Sequence, residues 1–80
     1  MPSLRRMSGR ELVRVFQSFG FEVVSQRGSH IKLRRIADGG ERQTLTVPNH
    51  DEIDTGTLRA ILRQATQYIA PSKLHDHFYA

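Results

Sequence analysis

The 80-residue chain contains no cysteine and no tryptophan. The missing cysteine excludes disulfide staples and thiolate-ligated metal sites. No stretch approaches the roughly 20 apolar residues of a membrane span, and the opening MPSLRRMSGR lacks the apolar run of a secretory signal. The expectation is a soluble, cytoplasmic protein that makes no membrane contact. Lysine is scarce, two against ten arginines, and no internal repeat, low-complexity tract or linker interrupts the chain.

What is present is basic. A net charge of +4 and a pI near 10.4 favour polyanions through counterion release, so nucleic acid is the first class of partner and an acidic protein the second. The planar arginine fork suits phosphate oxygens and carboxylates alike. Length and a hydrophobic fraction of 38% fit one domain over residues 1–80, since two cores would each be too small. A core of this size yields roughly 3 to 5 kcal/mol of net stability, which leaves room for a partner chain or a homo-oligomer.

Ser8-Gly9-Arg10-Glu11 has the S-x-x-E form of a capping box. Leu12, Val13, Phe16 and Phe19 follow at helical spacing and Gly20 can end the helix, predicting helix one over about Gly9 to Phe19. Phe21 to Arg27 and His30 to Ile36 read as two antiparallel strands interrupted by Gly28-Ser29. Asp38-Gly39-Gly40 leads into a third at Gln43 to Val47, closed by Pro48. Asp54 or Thr55 caps a second helix whose apolar positions Leu58, Ile61, Leu62, Ala65 and Ile69 carry it to about Ile69, where Pro71 stops it. The tail is expected to add one helical turn, with Leu74 and Phe78 as docking residues. The order α-β-β-β-α predicts an α+β domain: a three-stranded antiparallel sheet with two helices on one face.

The stretch QRGSHIKLRR concentrates the chemistry. Side chains alternate along a strand, so Ile31 and Leu33 belong to the helix-covered face while His30, Lys32 and Arg34 belong to the open one. Thr44 and Thr46 of the third strand flank that row. Same-face residues recur about every 6.6 to 6.8 Å, close to the spacing of phosphates along an extended single strand. RNA carries its own nucleophile, the 2′-hydroxyl, so its cleavage needs proton transfer and charge stabilisation. An imidazole supplies the first and fixed cations the second. His30 is the candidate general base or acid, with Arg27, Lys32 and Arg34 holding phosphates and Gly28-Ser29 offering backbone N–H groups. On spacing alone, a solvated basic strand with an inert histidine is the commoner explanation.

Five pieces, in order, resemble the HicA-type (YcfA-like) mRNA interferase toxins of bacterial toxin–antitoxin systems. They are Ser8-Gly9-Arg10-Glu11-Leu12, Gly20-Phe21, Gln26-Arg27-Gly28-Ser29-His30, Thr46-Val47-Pro48-Asn49-His50, and the run Gly56 to Ala65. The motif-bearing core covers about 8–69 and leaves a C-terminal extension at 70–80. The resemblance implies a fold like that of the double-stranded-RNA-binding domain and an endoribonuclease that cleaves mRNA through His30 without metal or other cofactor. It also implies a HicB-type antitoxin that blocks the site in a toxin–antitoxin hetero-oligomer. The family often places a glycine soon after the position of Ala65; here Thr66-Gln67-Tyr68-Ile69 continues the helical pattern.

Other candidates have structural explanations beside functional ones. His50 is either a second acid/base or a loop residue bonding backbone, the latter being the commoner role. His75-Asp76-His77 could be called a metal cluster, but helical residues two apart do not face each other, so a solvated tail is the better reading. Arg59 and Arg63 could bind RNA or an antitoxin, or line a solvated helix face. Asp51, Glu52 and Asp54 suit capping better than catalysis, and Phe16, Phe19 and Phe21 suit the core better than base stacking. Two rivals to the nuclease remain: a non-catalytic RNA-binding module and a basic protein-interaction domain.

Overall fold

The computed structural model describes residues 3–80, in the order α1 (Gly9–Ser18), β1 (Glu22–Arg27), β2 (His30–Ile36), β3 (Arg42–Pro48), α2 (Thr55–Ala65) and α3 (Pro71–Phe78). It is an α+β fold with one three-stranded antiparallel sheet, strand order β1-β2-β3, in the α-β-β-β-α sequence of the double-stranded-RNA-binding domain. The third helix is an addition to that plan.

Local chemistry accounts for the first helix end by end. The Ser8 hydroxyl accepts from the Glu11 N–H, and the Glu11 carboxylate accepts from the Ser8 N–H, each at 3.1 Å. At the other end Gly20 adopts φ +93°. Its N–H reaches Gln17 O, while the Phe21 N–H reaches Phe16 O, the paired bonds of a Schellman ending. Phe21 therefore terminates the helix instead of opening the strand, and it is buried at 1% exposure.

Ile31, Leu33, Leu45 and Val47 are buried beneath the helices, as alternation requires, and join Leu12, Phe16, Leu58, Ile61 and Ala65 in one hydrophobic cluster. β1 is an exposed edge strand along its whole length. A bulge between Val23 and Ser25 interrupts its ladder with β2, a device that twists an edge away from unwanted pairing.

Two expectations are corrected beyond the sheet. α2 stops at Ala65 and not near Ile69. The Thr66 hydroxyl donates to Arg63 O, and the N–H groups of Gln67 and Tyr68 bond three residues back, so the last turn tightens and the helix cannot continue. Ile69 is buried nonetheless, which is why the apolar period runs past the helix. Pro71, expected to stop a helix, starts α3 at its first turn, where a missing N–H costs nothing. The tail forms this helix rather than one turn. Leu74 and Phe78 are fully buried, and a bridge between Leu4 and Tyr79 ties the two ends of the described chain together.

Arg35 faces the helices. Its guanidinium donates to Phe19 O and Tyr68 O, each at 2.9 Å, and to Gln43 Oε1 at 2.7 Å, and it lies over the Phe21 ring at 4.8 Å. One side chain thus satisfies the carbonyl of the α1 cap residue and that of the turn following α2. Among the described residues no helix is long and apolar enough to cross a membrane.

Candidate functional site

The hairpin between β1 and β2 closes through two residues, with Gly28 at φ +54° and Ser29 in the turn behind it. A positive φ at the first loop residue followed by a negative one is the pattern of a type II′ hairpin. The turn brings Arg27 directly opposite His30. Because of the bulge, Ser25 rather than Val24 opposes Lys32. An unbroken ladder continuing from Val23 and Leu33 would set Val24 against Lys32 and Gln26 against His30. The bulge therefore assembles Ser25, Arg27, His30 and Lys32 on one face, and these residues with Thr46 line a hollow of about 490 Å³.

On its other side β2 pairs with β3, His30 opposite Pro48 and Lys32 opposite Thr46. The chain leaving Pro48 then turns past His50 toward α2. A larger groove of about 560 Å³ opens here between the sheet and α2. It is lined by His30, Thr46, Pro48 and His50 on one wall and by Asp54, Thr57, Ala60, Ile61, Arg63, Gln64 and Gln67 on the other. His30 and Thr46 border both hollows. His30 is solvent-exposed, so its ring is accessible without rearrangement of the core.

The loop carrying His50 is held from behind. The Gly9 N–H donates to the His50 carbonyl at 2.8 Å, and a Cβ on Gly9 would collide with the Pro48 carbonyl oxygen. The first residue of α1 is thus a glycine because the β3 end passes directly against it. The Asn49 N–H bonds the Ser29 carbonyl, linking this loop to the turn before His30. Asp54 caps α2, accepting from the Thr57 N–H and hydroxyl, and these bonds hold its carboxyl below the ordinary aspartate range. Asp51 pairs with Arg10 at 3.6 Å.

The residues singled out by sequence separate accordingly. Arg27, His30 and Lys32 come together, with Gly28 and Ser29 forming the turn that joins them. Arg34 lies farther along β2, half-buried between Glu22 and Thr44 as cross-strand neighbours. Arg63 lines the groove, whereas Arg59 borders neither hollow. His75 stacks on Tyr79 at 4.9 Å between centroids, and His77 packs edge-on against Phe19 at 5.5 Å. Phe16 and Phe21 are core residues; Phe19 is only partly buried.

Sequence reasoning passed over Thr57, Ala60, Gln64 and Gln67. The first three recur at i, i+3 and i+7, one face of a helix, and that stripe of small or uncharged side chains was the available signal.

Neither a curated protein nor a solved structure matches the chain. A family model described as the HicA toxin of bacterial toxin–antitoxin systems matches residues 9–66, a span that takes in both walls of the groove but Gln67, ends before α3, and covers well over half of the chain. The chain belongs to the HicA toxin family.

Proposed function

We propose that the chain is a metal-independent endoribonuclease that cleaves mRNA, with His30 as the proton-transfer residue. The observation that carries this reading is the position of His30 on the rim shared by a cationic hollow and a groove. Arg27 and Lys32 hold the RNA backbone, Arg34 meets it farther along the strand, and the Gly28-Ser29 turn presents backbone to a phosphate. The reaction forms a bond from the 2′-oxygen to phosphorus and breaks the bond from phosphorus to the 5′-oxygen. The imidazole takes the 2′-hydroxyl proton or delivers one to the departing 5′-oxygen, and the adjacent cations stabilise charge on the phosphorane. His50 lines the groove with His30, which makes it the candidate for the companion transfer, against the loop-ordering role that is commoner for such a histidine.

Membership of a toxin family implies an antitoxin. The family resemblance points to one of HicB type, and the proposal has it mask this face through acidic groups set against Arg27 and Lys32.

The chemistry is tested by the products. Cleavage through the 2′-oxygen leaves a 2′,3′-cyclic phosphate or 3′-phosphate and a 5′-hydroxyl, and a 2′-deoxy substitution at the cut site abolishes it. Products bearing 5′-phosphates, or cutting that survives the deoxy substitution, would refute it. Binding of RNA that stays intact would favour the non-catalytic module.

A further inference from the structure

The two hollows that meet at His30 differ in kind. The one on the sheet carries Arg27 and Lys32. The other offers hydroxyl and amide side chains, Thr46, Thr57, Gln64 and Gln67, around the apolar surfaces of Pro48 and Ala60, with Asp54, already bonded to Thr57, and Arg63 as its charged members. Fixed cations meet phosphates whatever the sequence, whereas a carboxamide presents a donor and an acceptor together and so matches the edge of a base.

Four uncharged polar side chains around one groove stand out in a chain with ten arginines. Thr57, Ala60 and Gln64 form a stripe along α2 distinct from the buried stripe of Leu58, Ile61 and Ala65. Gln67 extends it into the following turn. Ala60, exposed and small, leaves the space between α2 and β3 open. At about 560 Å³ the groove is of the size that takes small molecules.

We propose that this groove binds the base of the nucleotide adjoining the phosphate on which His30 acts, and so selects where RNA is cut. The inference rests on the ribonuclease reading above. The base lies against Pro48 and Ala60, the carboxamides of Gln64 and Gln67 read its edge, and Arg63 holds a neighbouring phosphate at the rim. Division of labour follows: the sheet hollow binds backbone without preference, the groove supplies preference, and His30 stands between them.

The test is a cleavage-site profile on a pool of randomised single-stranded RNA, using the full chain, Gln64→Ala, Gln67→Ala and Ala60→Leu. The three positions are exposed, and circular dichroism checks that each variant is folded. The wild-type chain should show a base preference at one position beside the cut. The glutamine variants should lower that preference about tenfold, and Ala60→Leu, by filling the groove, should slow cutting at the preferred sequence. A wild-type profile without preference, or folded variants with the wild-type profile and rate, would overturn the groove's role while leaving the nuclease standing. Absence of cleavage by the wild-type chain overturns both.

Discussion

Arg27 and His30 are direct partners across the first hairpin, the last pair of the β1–β2 ladder before the Gly28-Ser29 turn. In the proposed nuclease, the cation opposite the imidazole holds an anion within reach of the ring. Arg27→Ala and Lys32→Ala should therefore weaken binding of single-stranded RNA to a similar extent for every sequence. Each phosphate contact removed should reduce the slope of log affinity against log salt by about 0.7. Filter binding across a salt series measures this, and unchanged slopes would detach these residues from the RNA.

His50 gives a sharper distinction. A residue that protonates the departing 5′-oxygen becomes dispensable when that oxygen is replaced by sulfur, a better leaving group. His50→Ala should slow cleavage of ordinary RNA by about 100-fold or more and lose most of that deficit on a 5′-thio-substituted substrate. A histidine that only orders its loop would impair both substrates equally.

Arg35 belongs to the same charged stretch and has a different task. Removing it strands the carbonyls of Phe19 and Tyr68 near the ends of α1 and α2. Arg35→Ala should cost about 2 to 3 kcal/mol in urea unfolding. Arg35→Lys should recover little of it, because an ammonium cannot span acceptors on three segments.

These contrasts show how far the sequence could be read. The capping box at Ser8, the ending at Gly20 and the alternation of Ile31 and Leu33 against His30 and Lys32 are local patterns with one physical solution each, and the structure follows them. The bulge in β1 was not legible, because no glycine marks it and Val23-Val24 reads as ordinary strand. Yet it is what brings Ser25 and Arg27 beside Lys32 and His30. The apolar period through Ile69 reported burial correctly but not helix, since a tightened turn can bury the same side chain. The groove wall on α2 was invisible for another reason: it depends on how α2 meets β3, which no local pattern states.

The C-terminal helix lies beyond the family match but inside the core. Phe78 and Leu74 are fully buried, and the Phe78 ring lies 6.2 Å from that of Phe16. Phe78→Ala should cost roughly 3 to 5 kcal/mol, comparable to the whole net stability of about 3 to 5 kcal/mol expected of a core this size. Thermal unfolding should find the variant largely unfolded near 37 °C. A melting curve like that of the wild type would show the helix to be an appendage.

The central claim is that His30 carries proton transfer. Wild-type protein and His30→Ala, incubated with labelled single-stranded RNA in EDTA, test it most directly, because the side chain is exposed and its loss leaves the core intact. The account predicts cutting by the wild type in the chelator and a rate at least about 100-fold lower for the variant, with identical circular dichroism. Equal cleavage by the two proteins would contradict it.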